Sequence, residues 1–262
     1  MGGFLAGILR DVRDRVRDLR TRMPELERDA RGAPRGPSWE TLFSDSLVGV
    51  MAEVKRRSPS AGEISLELDP ARLARAYERG GAGAISVLTE EPHFGGSLGD
   101  LRAVRQAVGL PVLWKDFLLD PLQLCESRLC GASAVLLVAR VLEGGALAEM
   151  VRAAEELGLA TLVEVHRVAE LERALDVRPQ AVGVNARDLD TFEVDVKVLK
   201  QVLGRIPSGV KAVAESGLSG RADVERVAAW GADAVLVGTA LVESDDPEAR
   251  VRELVGVPRV GR

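Results

Sequence analysis

Histidine, cysteine and asparagine are almost missing from this chain: two, two and one among 262 residues. Each scarcity excludes something. His93 and His166 alone cannot supply the three protein ligands of a catalytic zinc site, so no metal is expected and both read as loop positions. Cys125 and Cys130 lie five apart in a helical-looking stretch, which points them to different faces and leaves both thiols free; neither belongs to a CxxC pattern. Aromatic residues are 3% of the chain, so the core must be built from aliphatic side chains. A one-signed basic surface is lacking too. The net charge is −5 and the arginines alternate with acids, which excludes a nucleic-acid footprint. No apolar run reaches the roughly 20 residues that span a bilayer, and charge begins at Arg10, too early for a signal peptide. The expectation is a cytoplasmic protein with neither membrane nor nucleic acid among its partners.

What the chain has in quantity is aliphatic sequence in a regular rhythm. Hydrophobic residues at 46% can bury a large core, and a single α/β barrel commonly has about this length. Phe4, Leu5, Ile8, Leu9, Val12, Val16 and Leu19 fall at helical spacing within the first 30 residues, forming an amphipathic helix that ends before the Gly/Pro-rich break at 31–37. A short segment near Trp39 to Phe43 leads into the first strand. From there, β-branched runs near 48–54, 83–88, 112–116, 133–138, 160–165, 180–185, 210–215 and 233–237 alternate with helical patterns such as Pro70 to Arg79 and Leu98 to Val108. Three units open with Gly-Ala-x-Ala, at Gly81, Gly131 and Gly231, where glycine ends a helix and small residues let the next strand pack closely. A doubly wound open sheet also alternates strand and helix, but eight units match a closed (β/α)8 TIM barrel. The expected organisation is an N-terminal helical extension over 1–46, packed on a barrel over 47–262.

Only five of the 35 basic residues are lysine, and two of those, Lys55 and Lys115, close apolar strand-like runs. Arginine stays charged at any working pH, whereas a desolvated ammonium can give up its proton, so the choice of lysine points to acid–base chemistry. In a barrel the carboxyl ends of the strands share one mouth. Glu53, Lys55, Lys115, Glu164, Asn185 and Glu215 with Ser216 all sit at such ends and are candidate catalytic residues. Residues two apart on a strand face the same way, which groups Lys55 with Glu53, Phe117 with Lys115, and Arg187 with Asn185. Asn185 is the only asparagine, so no general use of that residue explains its position. Ser216-Gly217 and Gly238-Thr239, after the seventh and eighth runs, stand where many barrels bind phosphate, and Ser58 could line the same wall.

Several segments together resemble indole-3-glycerol phosphate synthase, a family of tryptophan biosynthesis. They are Ala52-Glu53-Val54-Lys55-Arg56-Arg57-Ser58-Pro59-Ser60, Ser86-Val87-Leu88-Thr89, Lys115-Asp116-Phe117, Leu162-Val163-Glu164-Val165-His166, Gly183-Val184-Asn185-Ala186-Arg187-Asp188-Leu189 and Ala214-Glu215-Ser216-Gly217. The similarity includes the N-terminal helix. Ala61, Trp114 and Ala186 depart from the family's usual Lys, Arg and Asn. The resemblance implies a carboxy-lyase that needs no cofactor and acts on a small sugar phosphate, 1-(2-carboxyphenylamino)-1-deoxyribulose 5-phosphate, as a monomer or weak homo-oligomer. It implies Lys115 as general acid, Glu164 as general base, and Lys55 paired with Glu53 at the departing groups. Asn185, Glu215 and Arg187 would hold the substrate's polar groups, and Phe117 with Leu136 an apolar wall for its ring. Ser58, Gly217, Gly238 and Thr239 would hold the phosphate. A sugar-phosphate isomerase and a non-catalytic phosphate-binding barrel are the competing readings; Lys and Glu at the strand ends disfavour the isomerase.

Overall fold

A computed structural model describes residues 3–58, 62–63 and 68–261. Eight parallel strands close into a barrel: β1 (Gly49–Val54), β2 (Ala84–Leu88), β3 (Val112–Lys115), β4 (Ala134–Val138), β5 (Ala160–Val165), β6 (Ala181–Asn185), β7 (Lys211–Glu215) and β8 (Ala234–Val237). Each pairs with its sequence neighbours, and β1 pairs with β8 from Gly49 opposite Ala234 to Ala52 opposite Val237, which closes the sheet. The eight apolar runs of the sequence are these eight strands.

Side chains alternate between the faces of a strand, and the two faces of this barrel belong to two hydrophobic clusters. Val50, Ala52, Val54, Ile85, Trp114, Val163, Val182 and Val235 point outward into the layer shared with the helices. Met51, Ala84, Leu113, Ala134, Leu136, Leu162, Ala181, Val213 and Leu236 point inward and fill the barrel. The helices between strands start and stop where the sequence dictates. Asp69 accepts from the amides of Ala71 and Arg72 to cap Pro70–Gly80, and Asp120 with Gln123 forms a capping box on Pro121–Leu129. Gly81, Gly131 and Gly231 have φ of 97°, 78° and 96°, the left-handed conformation that lets each chain leave its helix for the next strand.

The N-terminal region differs in one respect from the single helix expected. It folds as two, α1 (Gly3–Arg20) and α2 (Met23–Gly32), because a turn at Thr21-Arg22 precedes Pro24, which lacks an amide hydrogen and suits only the first turn of a helix. The apolar stripe of α1 joins the cluster that fills the barrel. Arg15 pairs with Asp116 just after β3, and Phe4 stacks edge-on against His93 and Phe192 in the loops after β2 and β6. These anchors place α1 at the mouth end. The single turn Trp39–Leu42 closes the opposite end, with Leu42 O so near Gly49 that a Cβ there would lie 2.1 Å from it. No helix among the described residues is long and apolar enough to cross a membrane.

Candidate active site

The inward face of most strands runs from aliphatic at the closed end to polar at the mouth. Met51 is followed two residues on by Glu53, Leu113 by Lys115, Leu162 by Glu164, and Val213 by Glu215; Asn185 continues the inward row of Ala181. The alternation that fills the barrel therefore also aims these groups into one cavity of about 490 Å³. Lys55, Phe117, Leu136, Arg187, Ser216, Gly217, Gly238 and Thr239 line it as well. Phe94, Leu189 and Phe192, which the sequence reading did not select, complete its apolar wall. Of the residues selected, only Ser58 cannot be placed: its backbone pairs with Gly62, but its side chain, like Ala61, lies outside the described residues. Cys125 and Cys130 are buried and free, as expected.

Glu53 is the hub of the cationic half. Its Oε1 lies 3.0 Å from Lys55 Nζ and its Oε2 3.6 Å from Lys115 Nζ. Burial pushes the Glu53 carboxyl up, but the two ammonium groups outweigh it and the net direction is down. Lysine behaves contrary to the expectation that desolvation lowers it. Burial does pull Lys115 downward, yet Glu53, Glu164 and Glu215 together hold it above its ordinary value. Lys115 thus holds its proton more tightly than a free lysine. Gly238 makes this cluster possible, because a Cβ there would fall 2.3 Å from Glu53 Oε1 and 2.9 Å from Lys55 Nζ.

Across the mouth, two buried carboxyls are driven apart. Burial raises Glu164, but His166 and Lys115 and the amide of Asn185 overcome it and bring it to about 2. Asn185 Nδ2 donates to Glu164 Oε2 at 3.1 Å, and Asn185 Oδ1 accepts from the amide of Arg187 at 3.0 Å. Glu215 goes the other way. Burial and the neighbouring Glu164 charge raise it well above its ordinary value. Neither of its oxygens has an aligned hydrogen-bond partner among the described residues. Two neighbouring carboxyls whose proton affinities are pushed apart are the pattern from which distinct acid and base roles are built.

The rim is tied by charge. Arg140, after β4, pairs with Asp190 and, at 3.7 Å, with Asp188; Arg167, after β5, reaches Asp188 at 3.5 Å. Ser216 and Gly217 are both left-handed, with φ of 66° and 72°, and strain at a non-glycine residue beside a cavity accords with a functional turn. Asp116 accepts from Thr89 Oγ1, itself the acceptor of the Trp114 indole N–H, so the departure at Trp114 serves the outer layer and not the cavity.

His166 is the correction to the sequence reading. Far from a bland loop position, it is 4% exposed and lies between Glu164 (Nε2 to Oε1, 3.2 Å) and Glu170 (Nδ1 to Oε2, 3.7 Å). Burial lowers an imidazole, but these two carboxylates raise it to about 9. A folded-state value above the unfolded 6.5 adds stability that is fully present below about 6.5 and lost as pH rises through about 9. That gap corresponds to about 3 kcal/mol. Urea unfolding of the wild type should therefore weaken across this window, with a flatter profile for His166→Gln; parallel profiles would refute the linkage. No group of histidine, cysteine and carboxylate side chains among the described residues could hold a metal ion.

Half-buried ammonium groups facing buried carboxyls in one cavity at the mouth of a (β/α)8 barrel place the chain among barrels whose site lies at the carboxyl ends of the strands. The fold is shared widely: 3-hexulose-6-phosphate synthase from Salmonella typhimurium superposes with a TM-score of 0.63 at 16% identity, over 79% of this chain and 96% of that one. Orotidine 5'-phosphate decarboxylase from Pyrococcus horikoshii gives 0.59 at 15%, over 78% and 96%. The sequence is more specific. The profile of indole-3-glycerol phosphate synthase matches residues 5–254. Proteins of that name from Leifsonia xyli and Mycobacterium avium are 50% and 47% identical, covering 98% and 97% of this chain and 98% and 93% of theirs. The chain belongs to the indole-3-glycerol phosphate synthase family, carboxy-lyases of tryptophan biosynthesis.

Proposed function

We propose that this protein converts 1-(2-carboxyphenylamino)-1-deoxyribulose 5-phosphate into indole-3-glycerol phosphate, carbon dioxide and water, by Lys/Glu acid–base chemistry in the barrel mouth. The observation that carries the reading is the single cavity in which protonated Lys115 and ionised Glu164 both sit, together with membership of the family. The ring carbon bearing the carboxylate attacks the ketone carbon, and Lys115 protonates the oxygen as it becomes a hydroxyl. Loss of that carboxylate as carbon dioxide returns the bonding electrons to the ring. The hydroxyl then leaves as water, protonated by Lys55, while Glu164 takes the proton from the methylene beside nitrogen. Glu53 pairs with both lysines and helps Lys115 keep its proton.

The rest of the cavity suits the rest of the ligand. Phe117 and Leu136 give the aromatic ring an apolar wall, which also keeps water from the charged groups. Asn185, Glu215 and Arg187 offer polar contacts to the sugar hydroxyls and the anthranilate carboxylate. Ser216, Gly217, Gly238 and Thr239 lie together at the ends of β7 and β8 and are assigned to the phosphate. Purified protein mixed with the carboxyphenylamino ribulose phosphate should produce indole fluorescence with equimolar carbon dioxide. Binding of a ketone-reduced analogue without turnover of the true substrate would mark a phosphate-binding barrel instead.

A further inference from the structure

We infer that His166 and Glu170 form a relay behind Glu164 that holds the base ionised and in place. The inference rests on the proposed role of Glu164. His166 leaves β5 two residues after Glu164 and so turns back toward the same wall, and Glu170 follows four residues later in the first turn of the helix Val168–Asp176. The Glu170 carboxylate accepts from the His166 backbone amide at 2.7 Å and faces the imidazole Nδ1 at 3.7 Å, an ion-pair contact without an aligned hydrogen bond. Three groups with two negative charges and one positive thus run from the helix terminus to the cavity.

The arrangement has a reason in electrostatics. Glu164 and Glu215 are buried neighbours, and two such carboxyls compete for one proton. Lys115 faces both and therefore discriminates poorly between them. His166 does discriminate: its charge bears on Glu164, so Glu164 is the ionised member and Glu215 keeps the proton. Glu170, with Arg167 beside it, keeps the imidazole protonated in turn. The groups that bear on this relay are Lys115 from β3, Asn185 from β6, Glu215 from β7 and, at Glu170, Arg167. His166 and Glu170 are positioning residues, since neither lines the cavity.

The test uses pH profiles of kcat for wild type, His166→Gln and Glu170→Gln, with circular dichroism to verify folding. In His166→Gln, the loss of the imidazolium should move the acid limb up toward neutral pH and lower kcat by about 10- to 100-fold, with KM little changed. In Glu170→Gln, which can still accept from the His166 amide, the imidazolium loses its rear carboxylate, so the ring should titrate below its wild-type value of about 9 when followed by NMR. A uniform fall in kcat with both limbs in place would overturn the relay and leave only a packing role. The ¹³C-carboxyl shift of Glu164 gives the same decision without substrate. It should titrate at higher pH in His166→Gln than in wild type, and equal titration overturns the inference even if wild type fails to turn over, a failure that would count separately against the functional reading.

Discussion

Lys115→Ala should lower kcat by about 10²- to 10⁴-fold while the protein stays folded, the range for loss of a positioned general acid. Lys115 ends β3 with its head group 3.6 Å from Glu53 Oε2, and the facing carboxyls hold its proton above the ordinary lysine value. An alkoxide forming at the ketone is strongly basic, so a donor held in place can deliver its proton as the charge develops without being acidic at rest. Lys115→Arg separates charge from proton delivery. The guanidinium preserves the positive charge beside Glu53 but does not release a proton at working pH, so this variant should recover folding stability and little of the rate. Single-turnover measurement of indole formation, with circular dichroism as the folding control, is the check. A wild-type kcat in Lys115→Ala would remove the general acid from the mechanism.

The barrel was legible because its signal is simple. Eight β-branched runs set apart by amphipathic segments leave few topologies, and glycines at the helix ends mark where each unit begins. Most of the site was legible for the same reason. Polar residues two positions beyond an inward aliphatic, as in Met51–Glu53 and Leu162–Glu164, must point into the mouth once the strands close. Charge states were not legible, because they depend on groups that converge only in three dimensions. The fall expected for a desolvated lysine becomes a rise once three carboxyls from β1, β5 and β7 surround Lys115. His166 was missed for a subtler reason. Its spacing from Glu164 repeats that of Lys55 from Glu53 and Glu170 lies one helical turn away, so the signal was present, but a histidine without two further metal ligands was judged by metal chemistry alone. The turn that splits α1 from α2 was likewise announced by Pro24, and the continuity of the apolar stripe concealed it.

Glu164→Gln should also lower kcat by about 10²- to 10⁴-fold, and for a different reason. The amide is nearly isosteric and can still accept from Asn185 Nδ2, so the cavity keeps its shape, but it cannot take a proton. Two charge states should change with it. His166 loses its nearer carboxylate and comes down from about 9, and Glu215, no longer beside a negative charge, comes down from its raised value. Both shifts are readable by NMR titration and show that the variant is folded with its neighbours in place. Affinity for a ketone-reduced analogue should be nearly unchanged, because the proton Glu164 receives belongs to a step after binding. Loss of analogue binding equal to the loss in rate would make Glu164 a binding group and not the base. Joined to Lys115→Ala, the substitution should cost far less than the product of the two single effects, since an acid and a base serving one reaction sequence act as a unit. Full multiplicativity would place them in independent events.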